Sequence, residues 1–374
     1  MSSNKDTERR VVSFAAIDQY VERNIIPPTE RSYSGQERVQ WGPGDKYPGY
    51  ILDLYENVPT LRSVIGGAVD FIVGDDVLFR NSSSYKMNND GDNPARFIRK
   101  AALSYEQFCG IPFEVVRGKD GKPVQVYALN MSTIRSNKDN SVFWYSERWG
   151  KSNPDPVTIP AFMPRIADEW AGMDEDARKK ATSSIYLLKA DFGHTYPVPC
   201  FGAAIKDCET ERSISDYFLN TLDNGFAASA IINFLNGIPS DEQKAEIEKD
   251  IMEKFGGHAN AGRIAVNFAP SKDNMAVIQT LKSEDFGERY EALQKHVRQQ
   301  IFTSFRASPV LFGIPTENNG FAADNYEDAF RLFNRTHVRP IQRMIADALE
   351  YIFGEKVLEI KPFTLDGYGE SAVQ

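Results

Sequence analysis

The chain has 374 residues, enough for two or three domains, and its 41% hydrophobic and 25% charged residues are typical of a folded protein. Its formal net charge of −9 argues against tight wrapping of nucleic acid, because neutralising phosphates requires a basic surface. No apolar run approaches the about 18 residues of a membrane span, so no membrane partner is expected.

The three cysteines, Cys109, Cys200 and Cys208, lie at spacings unlike those of metal sites, and their odd number argues against a disulfide framework. The N-terminus, residues 1–6, lacks the apolar core of a signal peptide. We therefore expect a reducing cytoplasm as the compartment of folding.

Residues 1–47 show little periodicity and read as an N-terminal arm, rich in proline and glycine, with Tyr33 and Trp41 among them. Such an arm is either disordered by itself or laid across a neighbouring subunit. Its aromatic residues favour the second alternative.

Residues 48–203 predict a mixed unit of helices and strands. A helix should begin at Pro59 and stop at Gly74, and a second should run from Asn93-Pro94 to about Phe108. Between them, residues 88–92 are rich in side-chain oxygens. They lack the twelve-residue pattern of a calcium loop, so we expect a solvated turn rather than a cation site.

Residues 111–117 and 124–129 flank the Gly-rich segment 118–122 and predict a β-hairpin. That segment is no phosphate cradle, because strands lie on both sides and no Walker-type lysine follows. Residues 150–185 look like an insertion, helical in part and exposed.

Two long helices are expected on either side of a small α/β region. The first spans 204–226, and the second, 283–305, has apolar residues at four-residue spacing. The intervening region, 227–282, holds strands ending near Leu235 and Phe268. Between these strands a helix starts at the capping box Ser240–Gln243.

Residues 306–325 combine a helix-breaking elbow with a polar loop. Pro309 and Pro315 bracket the elbow, which contains Gly313. A further helix, 326–355, should be kinked near His337 by Pro340. Residues 356–374 form a short last strand and a tail.

This order of long helix, proline elbow, Asn/Gly loop and kinked helix resembles the portal proteins of tailed bacteriophages. Pro309 and Gly313 keep the family's places, while one of two adjacent family prolines is replaced by Ser308 or Val310. A second match lies in the small α/β region, at Gln243, Gly256, Asn260, Ala261, Gly262 and Arg263. A weaker match occupies Gly110, Phe113, Arg117 and Gly121.

The resemblance implies an α+β portal-type subunit with a β-rich wing, long stem helices, a small α/β clip and a minimal C-terminal crown. The wing would be 48–203, the stem helices 204–226 and 283–305, the clip 227–282, the tunnel loop 306–325, and the wing/crown helix 326–355.

The resemblance also implies a function. Identical subunits, about twelve, would form a closed ring at one capsid vertex of the virion, assembled in the host cytoplasm. Double-stranded DNA would be packaged and ejected through the ring without sequence specificity. The other implied partners are the terminase large subunit, a head-completion or adaptor protein, and the major capsid and scaffold proteins.

Three sets of residues follow from this mapping. The DNA-channel loop would consist of Thr316, Glu317, Asn318, Asn319, Gly320 and Phe321. The elbow and hinge positions would be Pro309, Gly313, Pro315 and Pro340. The clip would dock terminase and adaptor through Lys244, Glu248, Lys249 and Glu253.

No catalytic residues, cofactor or metal are expected. The four histidines have no metal-binding spacing, and neither a Walker A nor a Gly-x-Ser-x-Gly motif occurs. His296 and His337 are expected at a surface or an interface. Two alternatives stay open: a phage nucleic-acid-processing enzyme, and a ring-forming connector without a DNA channel.

Overall fold

The structure, a computed structural model, describes residues 30–32, 37–80, 87–190, 193–223, 231–234, 240, 265–268, 286–314 and 323–364. The chain divides into two units. One comprises Met1–Cys208 and Gln299–Gln374, and the other comprises Glu209–Arg298.

The helices in the described ranges mix long amphipathic elements with short surface turns. They are α1 (Tyr47–Asn57), α2 (Pro59–Val73), α3 (Pro94–Phe108), α4 (Ile166–Glu169), α5 (Glu175–Ala181), α6 (Ile205–Asp223), α7 (Phe286–Ser304), α8 (Ala323–Phe333) and α9 (Arg339–Phe353). A π-helical segment, Asn334–Val338, joins α8 to α9.

The strands are short and mostly antiparallel. They are β1 (Glu30–Ser32), β2 (Val39–Trp41), β3 (Asp76–Phe79), β4 (Gly110–Arg117), β5 (Pro123–Ala128), β6 (Ile134–Ser136), β7 (Val142–Tyr145), β8 (Val157–Pro160), β9 (Ser183–Lys189), β10 (Ile231–Phe234), β11 (Ala265–Phe268) and β12 (Leu358–Lys361).

Local sequence signals place several elements of the first unit correctly. Helix α2 begins at Pro59 and ends before Gly74, as predicted. Asn93 caps α3 by accepting a hydrogen bond from the N–H of Arg96 at 2.7 Å. The predicted hairpin is confirmed as β4–β5, and β9 pairs with the other edge of β4.

Two strands lie inside or at the end of the segment read as an insertion. That segment is helical in part, as expected, since it contains α4 and α5. It also contains β8, which extends the β6–β7 sheet, and it leads into β9. Trp170 is buried there and donates to the carbonyl of Lys119 at 3.0 Å.

The end of the predicted N-terminal arm is part of the core of its own chain. Trp41 is fully buried, and its ring stacks on Tyr196 at 4.6 Å and lies 5.6 Å from Phe108. The expectation that this aromatic residue lies on a neighbouring subunit is therefore wrong. Burial of a large aromatic surface explains the docking of this segment.

A buried ion pair holds the same segment against β6. The Nε of Arg135 donates to Asp45 Oδ1 at 2.5 Å, and that oxygen also accepts the N–H of Trp41 at 2.9 Å. The guanidinium of Arg135 lies 4.8 Å from the ring centre of Trp149. Burial lowers the pKa of Arg135, and the negative charge of Asp45 opposes this shift.

Cys109 and Cys200 form a disulfide between residues that are 91 positions apart, with their Cα atoms 5.7 Å apart. The odd number of cysteines, which argued against a disulfide framework, thus does not exclude a single disulfide, because sequence spacing does not show which distant cysteines meet. Cys208 is buried.

The turn before α3 is exposed at residues 89–91, as expected of a solvated turn, but its two end residues are buried. Asn88 and Asp92 are 3% and 1% exposed. Lys100 Nζ lies 2.7 Å from Asp92 Oδ2, and Arg96 Nε lies 3.3 Å from Oδ1. Burial would raise the pKa of Asp92, but hydrogen bonds from Lys100 and Asn88 and the nearby cations lower it below its usual value.

In the second unit, the ends of the two long helices meet through aromatic rings. Tyr217 of α6 stacks on Tyr290 of α7 at 5.2 Å, and Phe218 meets Tyr290 edge-on at 5.6 Å. Strands β10 and β11 pair in parallel. The predicted clip helix and its docking residues Lys244, Glu248, Lys249 and Glu253 lie outside the described residues.

We predict that Asp45→Asn lowers the free energy of unfolding by about 3 kcal/mol, because Arg135 stays buried without its counter-charge. Asparagine fits the size of the site and tolerates the positive φ of 63° at this position. Chemical denaturation measures the effect. Glu56→Gln, the same charge change at an exposed position of α1, serves as control, and equal effects of both substitutions would contradict the assignment.

We predict a pH-dependent loss of stability through Asp92. Its folded pKa lies below the unfolded one, so its contacts stabilise the fold above about pH 4 and this stabilisation is lost as the pH falls through the folded pKa. Asp92→Asn should cost about 2 kcal/mol at pH 7. The difference in the free energy of unfolding between this variant and the unmodified chain should shrink below about pH 4, as measured by denaturation curves. Asp168→Asn, at an exposed position, should show no such difference at any pH.

Candidate functional site: the elbow and its supporting helices

The elbow follows α7 and consists of one 3-10 turn, Pro309–Phe312. The turn begins at Pro309, whose fixed φ suits a first helical position and which has no N–H to leave unpaired. It ends at Gly313, whose φ of 78° suits a residue without a side chain. The N–H of Ile314 then donates to the carbonyl of Pro309 at 3.2 Å, which closes the turn.

A cluster of aromatic side chains packs against this turn. We define the cluster as Phe71, Phe302, Phe312, Phe330, Phe333 and Phe363. The ring of Phe312, from the elbow, lies 5.5 Å from Phe302, 6.1 Å from Phe333 and 6.4 Å from Phe71. The cluster therefore joins the elbow to α2, α7, α8 and the segment after β12.

Gly67 of α2 makes room for Phe312. A Cβ atom added to Gly67 would lie 2.6 Å from Cε1 of Phe312, closer than real side-chain contacts allow. The neighbouring Gly66 would meet nothing within 4 Å. The ring of Phe312 can thus occupy this space because Gly67 has no side chain.

A π-helical segment, Asn334–Val338, lies where the sequence predicted a kink in the long helix. The N–H of Arg339 donates to the carbonyl of Asn334, five residues back, in place of the usual four. Pro340 follows, lacks an N–H, and would clash with the carbonyl of Thr336 in a regular helix. The wider turn relieves that clash.

His337 of this segment is almost buried, so the expectation that it lies at a surface or interface is wrong. Its Nε2 lies 2.8 Å from Oε1 of Glu106, and the two side chains are 12% and 0% exposed. Its ring stacks on Phe333 at 4.8 Å. Nearby, Gln342 donates to the carbonyl of Ile72 at 2.9 Å, which ties α9 to α2.

The structure describes three of the four predicted elbow and hinge residues, Pro309, Gly313 and Pro340. Pro315 and the predicted channel loop, Thr316, Glu317, Asn318, Asn319, Gly320 and Phe321, lie outside the described residues. Their role stays a prediction.

Sequence reasoning missed Gly67 and Glu106. Gly67 had a usable signal, because a glycine inside a helix costs about 1 kcal/mol and often has a packing reason. Glu106 had none, because its partner His337 lies 231 positions away.

Within the described ranges, no group of three or more His, Cys, Asp or Glu side chains is placed to hold a metal ion. No helix in those ranges is both long and apolar enough to cross a membrane.

Comparisons with known proteins point to one family. Residues 82–365 match the sequence model described as phage portal protein. No curated protein matches the chain significantly.

Solved structures of a gene transfer agent share the fold. A chain in the virion of a native gene transfer agent particle is 18% identical, with a TM-score of 0.57, over 90% of this chain and 88% of that chain. The neck of the native particle, computed with C12 symmetry, gives 18% identity and a TM-score of 0.56 over the same 90% and 88%. An HK97 family phage portal protein from Corynebacterium diphtheriae is 10% identical, with a TM-score of 0.49 over 83% and 94%.

We predict that Gly67→Ala destabilises the protein by about 1 kcal/mol or more, because the new methyl group must displace the packed ring of Phe312. Gly66→Ala, one position away in the same helix, should instead stabilise it by up to about 1 kcal/mol. Thermal unfolding measures both.

Replacement of Phe312 by Leu in the Gly67→Ala background should restore part of the loss. If the two alanine variants behave alike, Phe312 does not occupy this seat.

Proposed function

The chain belongs to the phage portal protein family, and we propose that identical copies of it form a closed ring at one capsid vertex, through which double-stranded DNA is packaged and ejected. The observation that carries this proposal is the family match over residues 82–365, which contains both long helices, the elbow and the kinked helix. The family is structural rather than enzymatic.

Closed-ring assembly is supported by the surface of the second unit. Exposed apolar side chains lie close together on α6, namely Tyr217, Phe218 and Leu219, which are 42%, 43% and 58% exposed. Leu293 of α7 is 40% exposed. Clustered apolar surface of this kind favours a protein partner, and a closed ring places a different face of the next subunit against it. A dodecamer agrees with the C12 symmetry used for the gene transfer agent neck.

The channel contact is assigned to the loop from Thr316 to Phe321. Residues 314–325 contain no lysine or arginine, and their acidic residues are Glu317 and Asp324. Such a segment can offer hydrogen bonds to phosphate without the salt-dependent grip that cations give, so DNA can slide past it. Asn318 and Asn319 are the polar side chains proposed to line the narrowest part.

The remaining partners belong to the same proposal. The clip would dock the terminase large subunit and later the head-completion or adaptor protein, through Lys244, Glu248, Lys249 and Glu253. The major capsid and scaffold proteins would surround the ring. The site of action would be the capsid vertex of the virion, after assembly in the host cytoplasm.

We predict that replacing both Asn318 and Asn319 with lysine leaves the ring formed but slows DNA packaging. The slowing should grow at low salt, where phosphate attraction is least screened. An in vitro packaging assay across salt concentrations measures it.

The matched control is Ser152→Lys with Asn153→Lys, which adds the same charge at an exposed turn of the wing. Equal packaging by the loop variant, the control and the unmodified chain at low salt would contradict the channel assignment.

A further inference from the structure

Four arginines form a row along the kinked helix. Arg331, Arg335, Arg339 and Arg343 recur every four residues, from α8 through the π-helical segment into α9, and all four are exposed. At the rise of an α-helix, neighbours are about 6 Å apart along the axis and the row is about 18 Å long. No aspartate or glutamate occurs from 329 to 346, so the row is a positive strip in a chain of net charge −9.

The π-helical segment keeps this row on one face. In an α-helix, four residues turn about 400°, so a row at that spacing drifts by about 40° per step. A π-helix turns less per residue, which reduces the drift between Arg331 and Arg339. The π-helical segment thus affects the arrangement of surface residues as well as the core.

Three of the four cations have no acidic partner in the described parts of the chain. Arg331 lies 3.3 Å from Glu327 and 3.9 Å from Asp328, at exposed side chains. The guanidinium groups of Arg335, Arg339 and Arg343 make no ion pair or hydrogen bond with any described residue. Among the four arginines, only Arg331 is therefore paired with acidic residues of its own helix.

The row borders a depression rather than a convex surface. A pocket of about 580 Å³ lies between the helix and the segment after β12. Arg331, Arg335 and Arg339 line it, together with the rings of Phe330 and Phe363 and the carboxylate of Glu327, which pairs with Arg331. A ligand there would meet the guanidinium groups of Arg335 and Arg339 and an apolar floor, which suits the phosphates and sugars of a nucleic acid backbone.

Guanidinium groups favour phosphate as the ligand. Arginine presents a planar fork of donors that pairs two oxygens of a phosphate at once, and it keeps its charge at every pH of interest. A row of guanidinium groups therefore matches the repeated phosphates of a polymer better than it matches a single anion.

We infer that Arg335, Arg339 and Arg343, assisted by Arg331, form a surface that binds the phosphate backbone of double-stranded DNA without sequence preference. The choice of double-stranded DNA rests on the proposed function. The row shares no residue with the proposed channel loop, and residues 315–322 contain no lysine or arginine. In this proposal the loop lets DNA slide, whereas the row holds it by charge.

The test is DNA binding by the purified full-length protein in its assembled form, followed by fluorescence anisotropy of a duplex of about 30 base pairs. Three phosphate contacts with a slope of about 0.9 each make the affinity fall roughly fortyfold between about 50 mM and about 200 mM salt. The variant Arg335→Gln, Arg339→Gln, Arg343→Gln should lose this part of the salt dependence.

The control variant Arg165→Gln, Lys179→Gln, Lys180→Gln removes the same charge from exposed positions of the wing and should bind like the unmodified chain. If the row variant does not fold, the single substitution Arg339→Gln serves as the test. It should reduce the ratio of the affinities at the two salt concentrations roughly threefold.

Unchanged salt dependence in the row variant, or equal losses in both triple variants, would overturn the inference. A row variant that alters subunit assembly while DNA binding persists would assign the row to carboxylates of a neighbouring copy and would also overturn it. The loop lysine variant could package DNA slowly while the row variant binds DNA with unchanged salt dependence. That result would support the proposed function and contradict only this inference.

Discussion

The close approach of Phe312 to Gly67 is the contact on which the arrangement of the first unit's helices depends. The elbow interrupts the chain between α7 and α8, and a 3-10 turn of four residues has little stability of its own. Its ring is held because Gly67 of α2 has no side chain and because the rings of Phe71, Phe302 and Phe333 lie within 6.4 Å. The turn and the helices around it are therefore stabilised together, by long-range packing.

This packing explains why segments from opposite ends of the sequence meet. Phe71 lies 5.3 Å from Phe363, and β12 pairs with β3, so the C-terminal residues close over α2. The kinked helix is held on the same side by Gln342 and by the buried pair of His337 and Glu106. Because these contacts fix α8 and α9, the arginine row occupies a defined position beside the elbow.

Local features of the sequence predicted a large part of this fold. Proline and asparagine caps gave the starts of α2 and α3, Gly-rich residues gave the β4–β5 turn, and Pro340 marked the place of the π-helical segment. These signals act within a few residues, so one sequence is enough to read them. The resemblance around Pro309 and Gly313 gave the family.

Long-range pairings could not be read in the same way. Three contacts join residues that are far apart in the sequence, namely Trp41 with Tyr196, Cys109 with Cys200 and Glu106 with His337. The sequence around either residue of such a pair does not indicate its partner. The burial of Asp92 was missed for a related reason, because a carboxylate in a polar turn looks solvated until Lys100 and Arg96 are placed beside it. Polarity alone does not distinguish a surface turn from a satisfied buried one.

We expect the elbow, held by the packing of Phe312, to present the following loop to the bore of a ring of identical subunits. Electron cryo-microscopy of the purified protein tests this arrangement. The images should show a closed ring of about twelve copies, with residues 315–322 of each copy at the narrowest part of the bore. Particles that stay monomeric, or a ring in which those residues lie on the outer surface, would contradict it.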